Sequence, residues 1–258
     1  VSRIECEDLW RFFGRHYHPK GMIFVACGGV DPERVFSLAE KFSGKAASGN
    51  PVVRTPPQPR AGLTLAERDI NQVHLVLGFP TVPASAPERY ALEVLNAVLG
   101  GGVSSRLFQR LREELGLVYA VFSATAYFSD AGVISIYAAA EERKLPQVVE
   151  AIWAEVEGLR RAPPKDEDVK RAVQRLCNAF LLSLDDPSGR MVRLGTLAAL
   201  GRRPLSPEEV IRRFGQVTPE AVQELARRFL SVERAAWAAV GPSGERIRQA
   251  LRPFAEVV

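Results

Sequence analysis

The chain is poor in the residues that build disulfides, metal centres and membrane spans. Its three cysteines, Cys6, Cys27 and Cys177, are an odd number set far apart, with no Cys-x-x-Cys pair. That excludes a disulfide framework and predicts reduced, buried thiols. A nucleophilic role for any of them lacks a partner histidine within sequence reach. There are three histidines, His16, His18 and His74. His16 and His18 are two apart, so on a helix they do not share a face. An extended turn would let them bind metal together, but a solvated helix terminus is the favoured reading. His74 reads as a hydrogen-bonded structural histidine on a half-buried strand. No apolar run approaches the roughly 18 residues of a membrane span. Neither a charged-then-apolar signal segment nor a Met opens the chain. It starts on VSRIECEDLWRFF, as from the middle of a fold, and its true N-terminal part is expected to lie upstream.

What is present is ordinary globular composition: 258 residues, 47% hydrophobic and 25% charged, with a formal net charge of +4. Arginines come in scattered pairs, Arg160–Arg161, Arg202–Arg203, Arg212–Arg213 and Arg227–Arg228, with acids between them. These read as solvated helix faces rather than a nucleic-acid surface, and aromatic–basic interleaving is missing. The excess of Arg over Lys, with two Met and three Cys, hints at a thermophilic source. The compartment is not legible, with the cytoplasm favoured.

The two ends of the chain resemble each other. Glu7–Phe42 reads helix, turn, apolar strand (Met22–Cys27), Gly28, helix. Glu220–Phe254 reads the same way, with Ala235–Val240 as strand and Gly241 as stop. This predicts a duplicated architecture. Residues 1–44 are then the tail end of a first half-domain, 45–62 a linker rich in Gly, Ser and Pro, and 63–258 a second half-domain. A first copy represented only by its end predicts an apolar face in 1–44 that pairs with other chain.

Within 63–258, short strands are expected at Leu63–Glu67 and Asn71–Phe79. The second carries Val73, Leu75, Leu77 and Phe79 on one face. Ala86–Leu99 reads as a helix, and a second helix packs Leu107, Phe108, Leu111 and Leu115. Leu117–Tyr127 and Ala131–Ala139 form a hairpin around Ser129–Asp130. Consecutive helices follow over Leu145–Leu159, Asp166–Leu184 and Ser188–Leu200, and after the caps Ser206-Pro207-Glu208-Glu209 and Thr218-Pro219-Glu220. The fold class is α+β: helices packed on one face of a mainly antiparallel sheet.

The stretch GGGVSSRLFQRLREELGLVYAVFS, Gly100 to Ser123, carries the chemistry. It reads as a Gly-rich turn, a helix closed by Arg112, a Gly116 stop and a strand opened by Tyr119. The three glycines are expected to let the backbone turn sharply into the helix. A phosphate loop is excluded, since no Gly-Lys-Ser/Thr follows. Arg112 and Tyr119 are both donors. Converging at a sheet edge, they suit the carbonyls of a bound peptide. The structural alternative pairs Arg112 with Glu113 or Glu114 and leaves Tyr119 merely packed.

This run resembles the C-terminal half-domain of the insulinase / mitochondrial-processing-peptidase family of zinc peptidases, and the likeness extends loosely over most of the chain. The resemblance implies a metallohydrolase-like half-domain facing a homologous one across a closed chamber. It implies that Arg112 and Tyr119 hold the peptide substrate, with Tyr119 also stabilising the transition state as charge grows on the scissile carbonyl. The family's His-x-x-Glu-His helix, which binds zinc and supplies the general base, is absent from this sequence. Zinc is therefore expected in the complete enzyme, with its ligands outside this chain and no metal site within it. The partners implied are a peptide substrate and either the N-terminal half-domain or a homologous zinc-bearing chain, as a homo- or heterodimer; no nucleic acid and no membrane span enter. Two functions follow. One is the substrate-holding C-terminal portion of a zinc endopeptidase, inactive alone. The other is a non-catalytic partner subunit of a heterodimeric peptidase, like a processing-peptidase alpha subunit or a core protein.

Overall fold

A computed structural model describes residues 3–43, 55 and 57–255. Most of the expected linker, residues 44–54 and 56, lies outside the described residues. The chain divides into two compact units, one from Val1–Pro56 and Phe180–Pro204, the other from Pro57–Ala179 and Leu205–Val258. Helices α1 (Cys6–His16) and α2 (Pro32–Ser43) open the chain; β1 (Gly62–Glu67), β2 (Val73–Thr81) and α3 (Arg89–Leu99) follow. A π-helical segment, Phe108–Glu114, then leads to β3 (Ala120–Tyr127) and β4 (Gly132–Ala140). The rest is α4 (Leu145–Arg161), α5 (Asp166–Asp185), α6 (Pro187–Ala199), α7 (Pro207–Gly215), α8 (Pro219–Phe229), β5 (Ala236–Gly241) and α9 (Gly244–Ala255).

The larger unit is built on one sheet of order β1-β5-β2-β4-β3. Only β1 and β5 run parallel; the other neighbours are antiparallel. Alternation sorts the strands' side chains into two faces. Val73, Leu75, Leu77 and Phe79 of β2, Ile134 and Ile136 of β4 and Trp237 of β5 are buried. Burial of each such side chain contributes about 1.5–3 kcal/mol. Trp153 of α4 centres this core, edge-on to Phe79 at 6.1 Å and stacked on Phe254 at 6.0 Å. On the opposite face Val76, Phe122, Ala124, Ala236 and Ala238 are exposed. The sheet is thus covered by helices on one side, and its free edges are β1 and β3.

The capping residues act as their chemistry dictates. The hydroxyls of Ser206 and Thr218 accept the backbone N–H groups of Glu209 and Ala221, each at 3.2 Å, with Pro207 and Pro219 next in line. Helix α3 starts at Arg89 rather than at Ala86, because Pro87 disfavours helical backbone at the residue before it.

The smaller unit departs from the sequence reading in its strand, in His18, which is buried, and in Cys6, which is exposed rather than a buried thiol. Met22–Cys27 forms no strand. A strand needs a hydrogen-bonded neighbour, and none pairs with this segment among the described residues. Its counterpart β5 is bonded on both sides, to β1 and to β2. The elements around the two segments still match in length. Helix α1 and helix α8 each have 11 residues, each is followed by a three-residue 3₁₀ turn, and α2 and α9 each have 12 residues.

Candidate functional site

The Gly-rich run is where α3, the π-helical segment and β3 meet. None of Gly100, Gly101 and Gly102 has positive φ, so a tight left-handed turn is not the reason for glycine here. Close approach is. A Cβ on Gly100 would lie 2.5 Å from the backbone nitrogen of Ser123, and one on Gly101 would lie 2.8 Å from Cα of Ala97. Ser123 fixes the junction by donating its N–H to the Gly100 carbonyl at 2.9 Å and its hydroxyl to the Asn96 carbonyl at 3.1 Å.

The helix that follows widens. The N–H of Leu115 bonds the carbonyl of Arg110, five residues back, at 3.1 Å. Such π turns are frequent where a side chain must be re-aimed. Leu107 and Leu111 face the core, while Arg112 faces solvent. Gly116, at φ +58°, takes the left-handed turn that returns the chain to the sheet.

Arg112 and Tyr119 come together. A guanidinium N–H of Arg112 donates to the backbone carbonyl of Tyr119 at 2.6 Å, and Arg112 also lies over the Phe108 ring at 5.4 Å. The ladder of β3 begins one residue later, at Ala120. The N–H of Tyr119 still reaches Ala139 of β4 at 2.8 Å. No ion pair joins Arg112 to Glu113 or Glu114 among the described residues; Glu114 pairs with Arg110 at 2.7 Å. The Tyr119 side chain is 53% exposed, and its hydroxyl donates to the Glu141 carboxylate at 3.4 Å. Five donors on a guanidinium leave Arg112 free to bind a second acceptor.

A charged group beyond the sequence reading stands beside Tyr119. Glu141 accepts from Arg143 at 2.7 Å and lies 3.6 Å from Lys144, whose ammonium also reaches the Gly116 carbonyl at 3.1 Å. The hydrogen bond from Arg143 and the charges of Arg143 and Lys144 hold the Glu141 carboxyl below its ordinary value. The signal for this cluster was the hairpin itself: its register, Tyr127 opposite Gly132 back to Ala120 opposite Ala139, delivers Glu141 to the level of Tyr119.

The histidines do not assemble. His18 is buried, not solvated: the 3₁₀ turn Pro19–Gly21 folds back so that Gly21 lies against the imidazole, and Nδ1 has no partner. The His16 ring lies tilted against Phe12, with ring centroids 4.4 Å apart. His74 shares a 2.7 Å hydrogen bond through Nδ1 with the Tyr137 hydroxyl. Among the described residues no three His, Cys, Asp or Glu side chains converge as a metal ion requires. The described residues do not fit a zinc ion.

A family model described as the Peptidase M16 inactive domain matches residues 3–176. An uncharacterized zinc protease of Mycobacterium bovis is 36% identical over 256 residues, which is 95% of this chain and 57% of that protein. The crystal structure of a protease from Helicobacter pylori superposes with a TM-score of 0.82 at 18% identity, covering 93% of this chain and 60% of the other. The structure of a peptidase M16 inactive domain from Pseudomonas fluorescens superposes with a TM-score of 0.77 at 20% identity, over 94% and 59%. These structural likenesses show the fold. The chain spans under two thirds of the length of the relatives it matches.

Proposed function

The chain belongs to the M16 peptidase family, as its inactive C-terminal domain type, and from that premise we propose that it is the substrate-holding portion of a zinc-dependent endopeptidase. The zinc and the general base come from an N-terminal half-domain or from a homologous partner chain. Residues 63–258 form the second half-domain, 1–44 the end of the first, and 45–62 their linker. The observation that carries the reading is the fixed pair Arg112–Tyr119. One guanidinium bond locks the backbone beneath the phenol while both side chains stay open to solvent.

The chemistry follows from that arrangement. Peptide cleavage places negative charge on the scissile carbonyl oxygen. A phenol O–H aimed at that oxygen stabilises the charge as it grows, and Arg112 grips a neighbouring carbonyl or carboxylate. The Glu141 contact at 3.4 Å is long enough for the phenol to exchange it for substrate. The free edge of β3 lies beside the pair and suits an extended peptide. The matched helix–turn–helix lengths at the two ends support the duplicated architecture. In that reading Met22–Cys27, which forms no strand here, pairs into a sheet only when the rest of the first half-domain is present.

The test uses the full-length protein and a quenched fluorescent peptide. Arg112→Ala and Tyr119→Phe each lower kcat by about 10²–10³-fold, the usual cost of one oxyanion donor. This chain alone cleaves nothing. Unchanged kcat in both variants overturns the proposal.

The second reading, a non-catalytic partner subunit, is favoured by the inactive type of the matched model. It predicts that the full-length protein carries no His-x-x-Glu-His and cleaves only when a zinc-bearing homologue is added.

A further inference from the structure

We propose that Glu141 is a positioning residue for the Tyr119 phenol, itself held in place by Lys144 and Arg143. The inference rests on the substrate-holding reading and adds to it the group that orients the phenol.

Arg112 fixes the backbone of Tyr119 through its carbonyl, but it does not hold the exposed ring. The hydroxyl reaches the Glu141 carboxylate at 3.4 Å and has no other hydrogen-bond partner among the described residues. That contact is long beside the roughly 2.7–2.8 Å of an ordinary O–H···O bond, so it orients the phenol without trapping it.

Glu141 can do this because its own position is fixed. It caps the 3₁₀ turn Glu142–Lys144, and the N–H of Lys144 closes that turn on the Glu141 carbonyl at 3.0 Å. Side chains three apart eclipse in such a turn, and the Lys144 ammonium lies 3.6 Å from the Glu141 carboxylate. The same ammonium donates to the Gly116 carbonyl at 3.1 Å. Gly116, Tyr119, Glu141 and Lys144 thus form a closed ring of contacts that joins the turn before β3 to the turn after β4. The second turn is anchored in its own unit: Leu145 is buried, and Glu142 accepts from Arg246 of α9 at 2.8 Å. Arg143 bonds the carboxylate at 2.7 Å but is largely exposed, so it contributes less to the hold.

The two cations also meet an electrostatic need. A bare carboxylate beside the phenol would repel the negative charge that grows on a scissile carbonyl. Matched by Arg143 and Lys144, Glu141 keeps an acceptor oxygen for the phenol while its charge is offset.

The test uses the full-length protein with a quenched fluorescent peptide, and this chain with isotope-labelled tyrosine rings for NMR. Glu141→Ala lowers kcat about three- to tenfold and leaves KM within about twofold, the worth of one modest hydrogen bond. Glu141→Gln keeps an acceptor oxygen and restores kcat to within about twofold of wild type. In a Tyr119→Phe background Glu141→Ala costs nothing further, whereas a merely structural role would repeat its loss there. In the labelled chain, the ring signal that disappears in Tyr119→Phe shifts in Glu141→Ala and returns toward its wild-type position in Glu141→Gln. The proposal is overturned, with the role of Tyr119 left intact, by wild-type kcat in Glu141→Ala, by an equal loss with and without the phenol hydroxyl, or by an unmoved ring signal. Unchanged kcat in Tyr119→Phe overturns the substrate-holding reading and this inference with it.

Discussion

Tyr119 does two jobs with two different atoms. Its carbonyl anchors Arg112, while its exposed phenol reaches the Glu141 carboxylate at 3.4 Å. The sequence located both residues through a spacing and a resemblance. It could not show that the contact runs through the backbone, because a main-chain acceptor leaves no mark on residue type. His18 shows the opposite failure: a histidine beside a helix end reads as solvated, yet a turn at Pro19 buries it. Tyr127 gives a test at this scale. Burial, and then the nearby Glu93 carboxylate, push its phenol well above the ordinary 10.0. Above pH 10 the unfolded chain ionises this group while the folded chain still holds the proton. The stability it contributes is therefore complete below about pH 10 and lost as pH rises through the folded value. Alkaline melting curves of wild type fall more steeply than those of Tyr127→Phe.

Elements with strong period or clear caps were legible. The alternation in β2, the caps Ser206 and Thr218, and the hairpin of β3 and β4 all follow from side-chain chemistry that acts over a few residues. Met22–Cys27 was not, because an apolar run becomes a strand only beside another strand, and pairing is a long-range property. Nor was the purpose of Gly100–Gly102, since sequence cannot separate glycine needed for φ from glycine needed for space. Gly100→Ala tests the spatial account. The added methyl meets Ser123 backbone at 2.5 Å, so overpacking costs about 1–3 kcal/mol, read as a lowered melting temperature. Its negative φ predicts no backbone relief from other left-handed-tolerant residues: Gly100→Asn is at least as damaging.

At the scale of the molecule, apolar surface is unevenly shared. In the smaller unit Trp10, Phe24, Phe36 and Phe42 are each more than two thirds exposed, and α1 buries no residue. So many exposed large apolar side chains in one unit suggest a surface made to be covered. Trp10→Ser with Phe36→Ser is expected to reduce concentration-dependent self-association of this chain in analytical ultracentrifugation. The larger unit carries its own helix-covered sheet and the Arg112–Tyr119 pair. No helix among the described residues is long and apolar enough to cross a membrane.

The most direct measurement is the turnover of a fluorogenic peptide by the full-length protein with bound zinc quantified in the same samples. Tyr119→Phe should keep the metal content of wild type while kcat falls about 10²-fold or more. Equal turnover in wild type and Tyr119→Phe at equal zinc content would contradict the role assigned to the phenol.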